Sequence, residues 1–344
     1  MSATLSERKK YILRAVVVNY INTAEPVGSR TVARSYKMGL SSATIRNEMA
    51  DLEEMGYLIQ PHTSAGRIPS QKGYRYYVDN LMDLDDLSDD EALALNSSLS
   101  TEKMREIEQI IFNSAKVLSS ATNQTSLIMG PQFKKSAFRQ MRILPLDENR
   151  GLVVLITDTG FIKNKVIDMK QQLSQAELQQ VVSYLNQKLY GLTIDQVTTS
   201  LINELKRDLF RRLEILEQAF ILLEESLKEE KQIRVFLGGT TNILNQPEFK
   251  DVDKIRRMLN LFEQEPLLFK ILEESSSEDD IVIRIGGENE FIDIKECTLI
   301  TGTYKIHDKS IGTLGVLGPT RMDYGRVISV MRRLVDHLNQ SLSS

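Results

Sequence analysis

Apolar residues recur at helical spacing between Leu5 and Ile21, where Ile12, Leu13, Ala15, Val16, Val17 and Tyr20 predict a first helix packed on a small core. Its charged start, Arg8 to Lys10, stays in water. GSRTVARSYK, residues 28–37, offers Ser29 as the N-cap of a short second helix, and Met38 with Gly39 supplies the turn after it. Ser41 or Ser42 caps a third helix, ATIRNEMADLEEM, which stops at Gly56. In YLIQPHTSAGRIPS two short extended runs flank a small polar loop, the pattern of a hairpin or wing. Ser70 then caps QKGYRYYVDNLM, whose Tyr74, Tyr76, Tyr77, Val78 and Leu81 predict a helix leaving the domain. Three helices and a wing make a winged helix-turn-helix over residues 1–82.

The pattern breaks at residues 83–91, DLDDLSDDE, where six acidic side chains in nine positions argue for a solvated stretch. A linker over 83–100 is expected to let the head move relative to the body. Between Thr101 and Ala121, Met104, Ile107, Ile111 and Leu118 share one helix face, and TSLIM, residues 125–129, follows as a strand. FRQMRILPL, LVVLITDTG and FIKNKVIDM, separated by DENRG and TG, suit an antiparallel three-stranded sheet. Helical pattern returns over Gln175 to Tyr190 and in a long stretch from Ile194 to Glu230. Strands resume at RVFLGG (234–239), IVIRIGG (281–287), CTLITGTYKI (297–306) and LGVLG (314–318), and Tyr324 to Leu342 closes as a helix. The order predicts an α+β chain: a mixed-sheet domain over 101–136 and 233–344, interrupted by an α+β insertion over 137–232.

A length of 344 residues, at roughly 150 per domain, agrees with such a division. The net charge of −4 excludes a uniformly basic nucleic-acid coat. The charge is segregated, however: residues 1–80 hold 11 basic against 7 acidic side chains, so a basic head sits on an acidic body. Cys297 stands alone, which removes internal disulfides, thiol-rich zinc sites and CxxC redox chemistry. Aliphatic runs such as Leu152 to Ile156 are about five residues long, against the roughly 20 that span a bilayer. MSATLSERKKYIL carries charge without an apolar signal core. A soluble cytoplasmic protein with no membrane partner is expected.

In the third helix, helical geometry turns Ile45, Met49 and Leu52 toward the first two helices and leaves Ala43, Arg46, Asn47 and Ala50 on the opposite side. Small residues let a helix settle into a major groove, Arg suits guanine edges or phosphate, Asn pairs with adenine, and Ala meets a thymine methyl. The helix N-terminus itself favours phosphate. In the wing, His62, Thr63, Ser64 and Arg67 combine hydroxyl donors with a cation, a composition suited to phosphate and minor-groove contact. Arg8, Lys9, Lys10, Arg30 and Arg34 are further candidates for backbone contacts.

Enzyme chemistry finds less support. GTLGVLG, residues 312–318, has neither a Walker lysine nor a dinucleotide fingerprint and reads as a strand entering a tight turn. His62, His307 and His337 lack metal-ligand spacing, and no nucleophile stands out. The expectation is a binder without catalytic residue, metal or cofactor. Arg321 and Asp323, in PTRMDY, are read as holding the end of the sheet domain together by charge and capping.

SSATIRNEMADLEEMGYLIQPHTSAGRIPSQKGYRYYVD, residues 41–79, resembles the signature of the heat-inducible transcription repressor family HrcA. IGTLGVLGPTRMDYGRVI (311–328) and RIGGENEF (284–291) are similar to the same family, and the likeness runs from the first helix to the end. The resemblance implies a homodimeric repressor that binds the CIRCE inverted repeat in double-stranded operator DNA ahead of chaperone operons. It also implies an active form that depends on the chaperonin GroEL. The fold it implies is a winged helix-turn-helix, a GAF-like mixed α/β domain and an inserted α+β dimerising domain. Candidate DNA contacts are then Ser42, Ala43, Thr44, Arg46, Asn47 and Ala50 with the four wing residues.

Leu213, Leu216, Phe220, Leu223 and Leu227 repeat in steps of 3 and 4 and lay an apolar seam along the long helix. Packing against Gln175–Tyr190 and a dimer interface both remain open for it. The rival reading is a metabolite-sensing regulator with a ligand in the GAF-like domain. For heat response, a marginally stable three-part architecture would expose apolar surface on loosening and become a chaperonin client.

Overall fold

Ser6 starts the first helix: its hydroxyl accepts from the Lys9 N–H at 3.4 Å, and α1 (Glu7–Thr23) buries Ile12, Leu13, Ala15, Val16 and Val17 on one side. The computed structural model describes residues 5–35, 40–62, 65–83, 91, 107–131, 136–147, 150–159, 162–168, 175–197, 201, 234–275, 277, 281–306 and 309–343. The predicted Met38–Gly39 turn, most of the acidic linker and the seam from Leu213 to Leu227 lie outside these residues.

The next helix, α2 (Ser29–Ser35), begins one residue earlier than expected. Gly28, not Ser29, supplies the carbonyl that accepts the first helical bond, from the Val32 N–H at 3.2 Å. Ser41 caps α3 (Ser42–Glu54), its Oγ accepting from the Thr44 N–H at 3.1 Å, and Gly56 turns the chain out at φ +78°. The strands β1 (Leu58–Ile59) and β2 (Ile68–Pro69) pair antiparallel as the wing. A Cβ on Gly66 would lie 2.4 Å from the Val27 carbonyl oxygen, so only glycine lets the wing's return strand cross beside Val27. Ser70 then caps α4 (Gln71–Asn80), accepting from the Gly73 N–H at 3.0 Å.

Beyond the head the chain forms α5 (Ile107–Thr122), β3 (Thr125–Met129), β4 (Phe138–Pro145), β5 (Arg150–Thr157), β6 (Ile162–Asp168) and α6 (Gln175–Leu189). It continues through β7 (Val235–Gly238), α7 (Val252–Glu263), α8 (Glu265–Glu274), β8 (Val282–Ile285), β9 (Cys297–Ile306), β10 (Lys309–Pro319) and α9 (Tyr324–Ser343). The fold is α+β, and the chain divides into two compact units.

One unit comprises Met1–Met129, Val235–Thr303 and Thr313–His337. Its five-stranded sheet has the order β7-β3-β10-β9-β8. β3 is buried at every position, its polar Thr125 and Ser126 included, as an inner strand of a covered sheet must be. Where a mixed sheet was expected, the pairs β3–β10, β3–β7 and β8–β9 are all antiparallel. The head, expected to move relative to the body, is hydrogen-bonded to the sheet domain here: Arg321 donates to the Ile21 carbonyl near the end of α1 at 2.6 Å. Arg321 therefore reaches farther than the sheet end it was expected to hold. Asp323 does cap, accepting from the Arg326 N–H at 3.2 Å in the first turn of α9.

The other unit comprises Gly130–Arg234, Tyr304–Gly312 and Leu338–Ser344. Here β4, β5 and β6 form the expected antiparallel sheet, with Met141 opposite Leu155 and Leu152 opposite Val166. Met141, Val153 and Leu155 are buried with Leu185 and Leu189 of α6, and Asn186 clamps the helix to β4 through both the N–H and the carbonyl of Met141. The long helix expected from Ile194 does not start there. Ile194–Gln196 is a single 3-10 turn, because Ile194 donates to the Ser136 carbonyl at 2.9 Å and the Gln196 side chain accepts from the Thr193 N–H at 3.0 Å. Among the described residues no helix is long and apolar enough to cross a membrane.

Candidate nucleic-acid interface

Burial along α3 follows the predicted division. Ile45, Met49 and Leu52 are buried against the other helices, whereas Ala43, Arg46 and Asn47 are exposed and Ala50 is half-buried. Arg46 and Asn47 have no side-chain hydrogen bond or ion pair among the described residues. An Arg and an Asn one position apart, flanked by alanines, form a face that a groove floor can approach closely. Ser42 and Thr44 are half-buried, and the Thr44 hydroxyl lies 2.9 Å from Ser41 Oγ as part of the cap.

The cations of α1 take a different place from the one expected. Lys9 Nζ sits 2.8 Å from both Glu48 Oε2 and Asp51 Oδ2, and Arg8 lies 3.4 Å from Glu48. Lys10 pairs with Glu7 in its own turn. Lys9 and Arg8 together thus offset the two carboxylates on α3 that would otherwise repel a phosphate backbone, and Lys9 fixes α3 across α1. Hydrogen bonds from Lys9 to Asp51 and Glu48 raise the ammonium's pKa. Since the raised value belongs to the folded state, this link stabilises the head at neutral pH. It is lost as pH climbs through that raised value, above the ordinary lysine range.

Arg30 and Arg34 are exposed on α2 without a partner among the described residues. The two groups of cations therefore separate experimentally. Lys9→Met is expected to lower duplex affinity while leaving the slope of affinity against salt unchanged. Arg30→Ala should flatten that slope by about one phosphate contact. A titration series across salt concentrations checks both.

In the wing, His62 is exposed, while Thr63 and Ser64 lie outside the described residues. Arg67 does not project as a lone cation. Its backbone bridges Val27 through two 2.9 Å hydrogen bonds, and its guanidinium lies 2.7 Å from Glu53 at the end of α3. Arg67 thus pins the wing to the third helix. The sequence held both halves of the Lys9 and Arg67 pairs, but no local spacing joins residues on separate elements.

The lone cysteine is withdrawn from chemistry. Burial pushes the Cys297 thiol up to about 12, so it stays protonated and inert. Among the described residues no three His, Cys, Asp or Glu side chains are placed to hold a metal ion.

Three capped helices and a pinned two-stranded wing, with a polar helix face turned outward, define a winged helix-turn-helix protein. The family model described as HrcA protein C terminal domain matches residues 108–328. The heat-inducible transcription repressor HrcA of Natranaerobius thermophilus is 46% identical over 339 residues, covering 98% of this chain and 97% of its own. That of Pelotomaculum thermopropionicum is 43% identical over 338 residues, with 98% and 97% covered. A crystal structure of a hypothetical protein, 26% identical, matches with a TM-score of 0.65 and covers 99% of each chain. The chain belongs to the heat-inducible transcription repressor HrcA family, and its activity is repression of transcription rather than catalysis.

Proposed function

We propose that the chain works in the cytoplasm as a homodimer on double-stranded operator DNA carrying the CIRCE inverted repeat. Each copy lays α3 in a major groove and its wing over the flanking backbone. The observation that carries this reading is the exposed pair Arg46 and Asn47 beside carboxylates already paired with Lys9 and Arg8. Arg46 and Asn47 read base edges, Ala43 and Ala50 give the helix room, and Ser42 and Thr44 bring the helix N-terminus to a phosphate. His62, Thr63 and Ser64 supply wing contacts, and Arg67 sets the wing's position.

Pairing of two copies is assigned to the inserted region, residues 137–232, with the seam of Leu213, Leu216, Phe220, Leu223 and Leu227 as its apolar contact. Residues 101–136 and 233–344 form the GAF-like domain. An inverted repeat mirrors a two-fold protein, and two modest half-site affinities combine through effective concentration. Footprinting on a full repeat and on a single half-site tests this: the full repeat should be protected at concentrations at least about tenfold lower. Equal protection of both would refute the dimeric reading.

The partner that sustains the active form is the chaperonin GroEL. Heated and cooled repressor is expected to regain operator binding with chaperonin and nucleotide present, and to regain far less without them. Equal recovery in gel-shift titrations would remove the chaperonin from the account.

A further inference from the structure

We infer that the contact between the head and the five-stranded sheet is a latch that fixes where the head stands, so that the repressor reads the spacing of its two half-sites as well as their sequence. Arg75 and Glu288 are its positioning residues. The inference rests on the operator reading above.

Arg75 lies on α4, the helix that follows the wing. Its Nε donates to Glu288 Oε1 at 2.8 Å, and its Nη2 donates to Glu288 Oε2 and to the Ile283 carbonyl at 2.6 Å. Nη1 adds Asp79 at 3.2 Å within α4. One turn earlier, Gln71 Oε1 accepts from the Gly287 N–H at 3.0 Å. The receiving turn is built for this. Gly286 sits at φ +57°, and a Cβ there would fall 2.4 Å from the Gln71 amide, so two successive glycines let α4 reach the backbone. Asn289 holds the turn from behind, donating to the carbonyls of Gly286 and Cys297 at 2.9 Å each. Burial pushes the Glu288 carboxyl up, but Arg75 and the Ile285 N–H outweigh it and hold the group below its ordinary value, so the pair stays ionised at neutral pH.

A second hold lies on α1. Arg321 reaches the Ile21 carbonyl and is itself oriented by Glu248 Oε1 at 2.8 Å. Between the two holds Tyr74 of the head packs on Tyr324, both buried, with ring centroids 6.1 Å apart. Attachments on two different helices with an aromatic contact between them constrain orientation as well as position. The stretches RIGGENEF and PTRMDY, which have no part in the proposed DNA contacts, thereby gain a task.

The consequence concerns DNA geometry. A head tethered by an acidic segment alone would follow a half-site wherever the tether reached. A latched head meets one placement, and inserting base pairs moves each half-site along and around the duplex, since about 10 base pairs make one turn. The mismatch must then be met by opening the latch or deforming the DNA.

Gel-shift titrations test this with operators whose half-sites are separated by the natural spacing or by one to six added base pairs, and with an isolated half-site. For the unaltered chain, out-of-phase insertions are expected to cost about tenfold or more in affinity. For R75A and E288A the same insertions should cost threefold or less, with half-site affinity unchanged, ~1-fold relative to the unaltered chain. R75K keeps the charge but loses the paired geometry and should fall between. Variants showing the full penalty of the unaltered chain, or an unaltered chain indifferent to spacing, would overturn the latch. Failure of every protein to bind the operator of natural spacing would overturn the operator reading, and the latch's role with it.

Discussion

Arg46→Ala and Asn47→Ala are each expected to weaken operator binding by about 1–3 kcal/mol, roughly five- to a hundred-and-fiftyfold, while leaving the fold intact. The size follows from what is removed. A two-pronged contact to a base edge is lost, and the base is left with unmet donors or acceptors in a dehydrated groove. The fold is spared because both side chains are exposed and touch no partner among the described residues, and such surface changes move stability by about 0.5 kcal/mol or less. Titration against operator and thermal unfolding of the same preparations separate the two effects. Wild-type affinity in both variants would show that α3 presents another face.

Leu52→Ala should do the reverse. Leu52 is fully buried beneath α3, and its carbonyl accepts from the Tyr57 N–H at 2.8 Å where the chain leaves the helix for the wing. Truncation leaves a cavity in a small head and is expected to cost about 2–5 kcal/mol. That is a large share of the roughly 5–15 kcal/mol that stabilises an ordinary domain. Denaturant unfolding, with Ile45→Val as the milder neighbour at about 0.5–1.5 kcal/mol, checks the magnitude. A loss under about 0.5 kcal/mol for Leu52→Ala would mean that the core under the helix is looser than its burial indicates. DNA affinity in this variant should fall only in step with the folded fraction.

What could be read in advance was local. The Ser41 and Ser70 caps, the Ile45–Met49–Leu52 stripe and the Gly56 stop each depend on neighbours within a turn or two, so residues 41–79 were legible almost position by position. The three strands of the inserted sheet announced themselves by turn residues and alternation. The apolar pattern does not single out α7 or α8, although Asp251 caps the first and Pro266 opens the second. The buried residues of α7, Met258, Leu261 and Phe262, are crowded into its second half behind a charged start.

Long-range electrostatics was not legible at all. Lys9 and Arg67 look like phosphate contacts because composition counts charges without their partners, and Glu48, Asp51 and Glu53 lie on another element. The attachment of the head was invisible for the same reason, since Arg75 and Glu288 stand 213 positions apart. The acidic run at 83–91 pointed the other way, toward a free head.

The central claim is that the outward face of α3 reads bases. It is met most directly by measuring Asn47→Ala against a set of operators changed singly at each base pair. The account predicts that the variant becomes indifferent at one position in each half-site while keeping the wild-type preferences elsewhere. A preference profile matching the unaltered protein at every position would contradict it.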